Sequence, residues 1–249
     1  MTTLPYISET TPFPNVSKAL DDPNGLLACG GSLSVPMLFQ AYVNGIFPWF
    51  SEDEPILWWS PDPRAIIELD DFHVSRSLKK LARKGQYVVT LNRQFENVIK
   101  ACSSIPRRHP EQQTVTNETW ITDDMVQAYC RLHEAGIAHS VEVCRVDGTL
   151  VGGLYGVAVG EVFCGESMFH LEPNTSKLAM LALVTHMKRH ELAFIDCQLP
   201  TDHLSSLGAK AISRQTFITR LQKHNKTLAD TGELLATYRH YWKSGIITP

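Results

Sequence analysis

Residues 139 to 189 set the strongest constraint on the fold. HSVEVCRV (139–146) and TLVGGLYGVAV (149–159) are strand-like runs joined by Asp147-Gly148, a strong hairpin signal, and VFCGESMF (162–169) follows across a turn at Gly160-Glu161. Together they predict an antiparallel meander. A helix beginning at Asn174, Thr175 or Ser176 comes next, and its core, LAMLALVTHMKRH, is apolar almost all round, as a buried helix must be. Lys188, Arg189 and His190 close it, at the end where the helix dipole favours cations.

The flanking segments extend this unit. YVVTL (87–91) reads as a strand, and Asn92 is placed to cap a helix carrying Phe95, Val98, Ile99 and Cys102 on one face. A second helix follows Thr122, with Met125, Ala128, Tyr129 and Leu132, and stops at Gly136. AFIDCQL (193–199) is a further strand, and Ser213 caps a last helix. The stretch 103–118, SSIPRRHPEQQTVTNE, has no apolar period and reads as an exposed, mobile loop.

The order strand, helix, helix, three antiparallel strands, helix, strand, helix resembles the GNAT acyltransferase fold, an α/β (α+β) mixed sheet with flanking helices. Fold alone does not fix a substrate. The resemblance implies a glycine-rich turn for the pyrophosphate of coenzyme A near residues 170–177, where HLEPNTSK stands instead, so coenzyme A is not the expected donor. Residues 63–225 form the expected catalytic domain, preceded by a small N-terminal domain at 1–62 and followed by a tail at 226–249. Within the N-terminal part Asn24-Gly25 and Gly30-Gly31 are turns, and Ser34 is placed to cap a short helix from Val35 to Asn44 that stops at Gly45.

A chain of 249 residues, 43% hydrophobic, has enough apolar material for one good core and a smaller appendage. It shows neither an apolar run of membrane-spanning length nor a basic start followed by an apolar segment, which predicts a cytoplasmic protein without a membrane partner. Six cysteines at 29, 102, 130, 144, 164 and 197 include no C-x-x-C pair and fit reduced, buried thiols better than a zinc site or a disulfide frame. His186 and His190 are spaced i,i+4, but Met, Lys and Arg lie between them, so no metal is expected.

Two features point to a polyanionic, flat-ringed partner. GIFPWFSEDEPILWWSPDPR (45–64) puts Trp49, Trp58 and Trp59 among four prolines that block regular structure, giving a stiff aromatic rim suited to stacking on a nucleobase or, equally, a satellite core under a loop. In SRSLKKLARK (75–84), Arg76, Lys79, Lys80, Arg83 and Lys84 fall on one helical stripe opposite Val74, Leu78 and Leu81, with no acid to offset the mutual repulsion. The net charge of −3 argues against wholesale nucleic-acid coating but leaves room for this local patch, as a binding surface or as an idle solvated face.

The candidates for chemistry sit on two strands. In FIDCQ, alternation puts Asp196 and Gln198 on one face and Cys197 on the other, so the cysteine reads as a buried thiol. Glu166 lies in a strand that should be largely buried, and Gly165 beside it suggests a bulge that re-aims its neighbours. With that bulge, Phe163 and Met168 line one pocket together with Leu154, Met180 and Leu183; simple core packing is the alternative for each.

The stretches PNGLLACGGSLS, GIFPWF, ILWWSPDPRA, TWIT, GGLYGV, FCGESMF, FIDCQ and SLGA, in that order between residues 13 and 221, resemble the bacterial leucyl/phenylalanyl-tRNA-protein transferase family. The resemblance implies an aminoacyltransferase that moves Leu or Phe, with Met as a further candidate, from aminoacyl-tRNA to proteins beginning with Arg or Lys. That transfer marks the acceptors for degradation under the N-end rule, and it uses neither coenzyme A nor any other cofactor, nor a metal. Terminal-adenosine contacts then fall on Trp49 and Trp120, and the side-chain pocket on Leu154, Phe163, Met168, Met180 and Leu183. Glu166, Asp196 and Gln198 fall around the reacting ester and the acceptor amine as the expected catalytic residues, and the basic helix falls where the tRNA acceptor arm is gripped. On this reading Asp196 and Gln198 orient the amine and relay its proton, with Asp196 as the base or the group that polarises Gln198. Against this stand a GNAT-type N-acyltransferase with another acyl carrier and a non-catalytic RNA-binding module.

Overall fold

The computed structural model describes residues 4–105, 119–225 and 240–249, with the backbone of 107–108 and 115–116. From the N-terminus the chain first builds a four-stranded sheet from β1 (Tyr6–Ile7), β2 (Leu26–Gly30), β3 (Phe47–Pro48) and β4 (Leu57–Trp59), in the order β1-β2-β4-β3. Helix α1 (Val35–Val43) connects β2 to β3, and Ser34 stands at its N-cap without a side-chain hydrogen bond. The prolines of the rim thus do not exclude strand structure as expected. Pro48 is tolerated because β3 is an edge strand, where a missing N–H breaks no inner ladder. Trp58 is fully buried and donates its indole N–H to the carbonyl of Gly30 at 2.8 Å, so this tryptophan is core.

The larger body follows as β5 (Arg64–Glu68), α2 (Arg76–Arg83), β6 (Tyr87–Leu91), α3 (Phe95–Ser103), the short antiparallel pair β7 (Arg107–Arg108) and β8 (Val115–Thr116), and α4 (Asp123–Glu134). Then come β9 (Ala138–Arg145), β10 (Leu150–Val159), β11 (Val162–His170), α5 (Thr175–Arg189), β12 (Phe194–Gln198), α6 (Asp202–Ser206), β13 (Lys210–Ile212), α7 (Arg214–His224) and β14 (Gly245–Ile246). Eight of these strands form one mixed sheet in the order β13-β5-β12-β11-β10-β9-β6-β14. The architecture is the mixed α/β sheet with flanking helices that the sequence predicts, with the small sheet at its N-terminal end, but β5, β13 and β14 enlarge the sheet beyond the strands legible in the sequence. Of the 103–118 loop, the part other than residues 103–105, β7 and β8 lies outside the described residues, as do residues 226–239 of the expected tail. Residues 240–249 are sheet-bound, since β14 pairs with β6 through Gly245↔Leu91 and Ile246↔Thr90.

Two apolar layers sandwich the main sheet. Helices α1, α3, α4 and α7 and the small sheet cover one face with Leu38, Val98, Tyr129 and Phe217, while α2 and α5 cover the other with Leu78, Leu178, Leu183 and Met187. The caps of α2, α4 and α7 are the hydroxyls of Ser75, Thr122 and Ser213. Asn92 does not cap α3. It takes a left-handed φ of 58°, and its carboxamide ties the backbone N–H of Ser140 and the carbonyl of Trp242 to β6. The buried Glu142 receives the N–H groups of Arg93 and Gln94 just ahead of that helix. Among the described residues no helix is long and apolar enough to cross a membrane.

Two irregularities shape the centre. On β11, Ser167 opposes Tyr155 and Gly165 opposes Gly156, so Glu166 is the extra residue of a bulge beside Gly165. The parallel pairing of β11 with β12 ends at Cys164↔Asp196 although β11 runs on to His170, so the two strands part there. Gly156 permits the close approach at the bulge, because a Cβ would lie 2.2 Å from the Cys164 carbonyl oxygen. Gly156→Ala is therefore expected to lower stability by about 1–3 kcal/mol, read as a lower urea midpoint at unchanged slope.

Candidate active site

Where β11 and β12 part, a cavity of about 310 Å³ opens, lined by Leu154, Phe163, Met168, Met180, Leu183 and Ile195. Each comes from an element already fixed by packing: Leu154 from β10, Phe163 and Met168 from β11 on either side of the bulge, Met180 and Leu183 from α5, and Ile195 from β12. The bulge shifts the parity of β11 by one, which is why Phe163 and Met168 share one wall. All five residues expected from the sequence are brought together here.

Glu166 and Gln198 also border this cavity. Gln198 Nε2 donates to Glu166 Oε1 at 2.7 Å, bridging the gap between the strands. Tyr42 of α1 donates to the same oxygen at 2.7 Å, Tyr129 of α4 donates to Oε2 at 3.3 Å, and the two tyrosine hydroxyls touch each other. Burial pushes the Glu166 carboxyl up from 4.5 to about 7; the bonds from Tyr42, Tyr129 and Gln198 oppose that shift and the nearby Asp196 charge adds to it. Burial, reinforced by Glu166, holds both tyrosines well above 10, so they remain protonated donors.

The expected pairing of Asp196 with Gln198 on one face requires correction. Ile195 and Cys197 border the cavity, while Asp196 points to the opposite face and is fully buried. Register slips between Asp196 and Gln198 against β5, and Gln198 takes a left-handed φ of 63°, which turns its side chain to the cavity out of alternation. Asp196 binds Arg64 in a fork, Nε to Oδ1 at 2.8 Å and Nη2 to Oδ2 at 2.7 Å, and Oδ1 also accepts the Gln198 backbone N–H at 3.0 Å. Cys197, expected on the far side, is at the cavity wall, and burial pushes its thiol far up, so the reading of an unreactive thiol is kept.

A family model described as leucyl/phenylalanyl-tRNA protein transferase matches residues 66–222, and a model of that transferase's N-terminal domain matches residues 31–62. The chain belongs to the leucyl/phenylalanyl-tRNA protein transferase family. A leucyl/phenylalanyl-tRNA–protein transferase of Pseudoalteromonas translucida is 57% identical over 209 residues, 84% of this chain and 84% of that protein. One from Hahella chejuensis is 48% identical over 246 residues, 99% of this chain and 98% of that protein. Among solved structures, L-PGS from Bacillus licheniformis covers 88% of this chain and 65% of that one at 12% identity and a TM-score of 0.36, a likeness too slight to bear on the site.

The other residues expected of a transferase of this family lie apart from the cavity lining. Trp49 is 44% exposed, stands edge-on to Trp59 at 5.5 Å, and accepts the Trp59 indole N–H on its carbonyl at 2.6 Å. Trp120 is half-buried against the α1–α3–α4 layer. Arg76, Lys79, Lys80, Arg83 and Lys84 are all exposed on α2 and line a shallow depression that contains no acid. Among the described residues no group of three or more His, Cys, Asp or Glu could hold a metal ion.

Three residues of the site escaped the sequence reading. Tyr42 and Tyr129 sit on the apolar stripes of their helices, and periodicity alone could not separate a hydroxyl aimed at Glu166 from a core ring. Arg64 carried a usable signal, a single cation at the head of the apolar run Ala65–Ile67 in the strand RAIIE. It is 1% exposed, donates to the Gly45 carbonyl at 3.2 Å, and lies between the rings of Phe47 and Phe217 at 4.9 and 4.5 Å. Burial is the largest single influence and lowers its pKa, but the Asp196 charge and hydrogen bonds, with smaller contributions from Cys164 and Glu166, together leave it raised.

Two outcomes follow. Asp196→Asn removes one charge of a buried pair and is expected to lower stability by about 3–5 kcal/mol, measured by denaturant unfolding. Glu166 has a folded pKa raised above its ordinary value, so its contribution to stability is complete below about 4.5 and is lost as pH rises through about 7. Glu166→Gln is therefore expected to gain on the order of 2–3 kcal/mol relative to wild type between pH 4 and pH 8. Parallel stability curves across that range would remove the assignment.

Proposed function

We propose that this chain transfers leucine or phenylalanine, with methionine as a further substrate, from aminoacyl-tRNA to the N-terminal α-amine of proteins beginning with Arg or Lys. Such transfer marks the acceptor for degradation, and a cytoplasmic setting belongs to the same proposal. The observation that carries the reading is the apolar cavity bordered by the Glu166–Gln198 bridge. Its volume is at the lower end for ligand sites, the scale of one amino-acid side chain rather than a nucleotide. Leu and Met walls suit unbranched and γ-branched side chains of different shape, and Met in particular re-packs around them.

An aminoacyl ester is already activated, so the enzyme needs no nucleophile of its own. The acceptor nitrogen attacks the ester carbonyl, the new C–N bond forms, the C–O bond to the terminal ribose breaks, and the amine proton passes, directly or by way of Glu166, to the departing ribose oxygen. Because Gln198 Nε2 is committed to Glu166, the carboxamide oxygen is left to orient the amine. Glu166 titrates near 7, within reach of an α-amine whose own pKa is about 7.7–8.0. A partner of matched pKa is the efficient one for proton transfer. Asp196 acts here as a positioning residue, holding the Gln198 backbone rather than meeting the amine. With Asp196 neutralised by Arg64, Glu166 is the carboxylate that attracts an acceptor Arg or Lys.

Trp49 and Trp120 are assigned to the terminal adenosine and the basic face of α2 to the acceptor arm. The charge of that face is uncompensated and outward, which is what phosphate neutralisation requires.

The deciding experiment supplies labelled Leu-tRNA and a protein starting with Arg. Label is expected at the acceptor N-terminus, lost when the donor RNA is digested beforehand and reduced when the acceptor Arg is replaced by Ala. A donor that survives nuclease treatment would favour the other acyl carrier. Lys79→Glu with Lys80→Glu is expected to weaken tRNA binding and flatten its salt dependence, while transfer from a minimal aminoacyl-adenosine donor stays near wild type. Loss of both would contradict the assignment of the helix to the acceptor arm.

A further inference from the structure

We infer that Trp242, in the C-terminal segment, sets the depth of the side-chain cavity and hence the ranking of donors. This inference rests on the proposed reading of that cavity. Phe163, one of the cavity walls, has the Trp242 indole behind it, with ring centroids 5.3 Å apart. The indole is gripped on two further sides, by His139 of β9 in a stack at 4.8 Å and by His186 of α5 at 5.5 Å. It is only 4% exposed.

Ring contact is what holds it. Neither Trp242 Nε1 nor His139 Nε2 has a hydrogen-bond partner among the described residues, so its place depends on fit and volume. The backbone around the indole is fixed separately. Asn92 Nδ2 donates to the Trp242 carbonyl at 2.6 Å, His186 Nε2 bonds the Tyr241 carbonyl at 2.7 Å, and β14 is zipped to β6 with a further bond from Ile247 N to Val89 O at 3.0 Å. Trimming the indole therefore leaves the segment anchored and frees space immediately behind Phe163. That ring then swings back, and the cavity deepens by the volume vacated.

The residue touches no reacting atom, so it is a specificity-positioning residue. Its readout is a ratio that a general loss of stability does not move, the kcat/KM for Phe-tRNA and for Trp-charged tRNA relative to Leu-tRNA with one acceptor. Trp242→Ala is expected to raise both ratios about tenfold, the scale on which small volume changes in apolar pockets discriminate substrates. Trp242→Phe is expected to stay near wild type. Met180→Ala, which alters a cavity wall directly, serves as the reference.

If Met180→Ala shifts the ratios and Trp242→Ala does not, the inference is overturned while the cavity reading stands. If neither shifts them, the cavity does not hold the donor side chain and the inference falls with it. Should Trp242→Ala not fold, Trp242→Leu carries the same test, with unchanged ratios again overturning the inference.

Discussion

Arg64 and Asp196 are both buried, and each is the other's ion-pair partner. The fork between them is completed by the Gly45 carbonyl on one side and the Gln198 N–H on the other, with the rings of Phe47 and Phe217 against the guanidinium. Such a pair is costly to desolvate and adds little net stability over a well-packed apolar substitute. Its value lies in register. Gly45 and Phe47 belong to the N-terminal part, Phe217 to α7 and Asp196 to the central strand, so one guanidinium in one orientation fixes three parts of the chain relative to each other. An apolar side chain would pack there without specifying which way round.

The same carboxylate controls the site without entering it. A glutamine at a φ of 63° is in a conformation that L-residues rarely adopt, at a cost on the order of 1–3 kcal/mol. Asp196 Oδ1 takes the N–H exposed by that turn, which makes the strained backbone the satisfied one. The turn delivers the carboxamide across the gap to Glu166, whose own position is the extra residue of a second bulge on the neighbouring strand. Two departures from regular pairing, one on each strand, thus face each other where parallel pairing stops. Alternation would have sent one of the two polar groups into the far layer.

That geometry explains what the sequence disclosed and what it withheld. The meander, the buried helix and the capped helices were legible because turn chemistry and apolar period are local. The cavity wall was legible for a similar reason, since Gly165 beside Glu166 announced the bulge that reunites Phe163 with Met168. The slip on β12 has no such flag, and FIDCQ reads as a plain strand, which puts Asp196 and Gln198 on one face and Cys197 on the other. Tyr42 and Arg64 could not be placed because their partners lie 124 and 132 residues away. Strand β14 was hidden likewise, for a two-residue edge strand carries no period of its own.

The arrangement separates the two tasks that an aminoacyl-tRNA donor imposes. Grip on a polyanion needs exposed, mobile cations whose interaction water and salt can screen, and α2 offers them on the surface. Discrimination among apolar side chains needs a dry cavity of set depth, and proton handling needs a carboxyl whose charge is held in the balance by burial. Glu166 satisfies the last condition because three donors oppose a desolvation they do not fully cancel. Were those donors stronger, the carboxylate would be a fixed anion and a poor proton acceptor near neutral pH. Were they absent, burial would hold it protonated more firmly. The tyrosines of α1 and α4 therefore set the balance of that carboxyl as much as they support it.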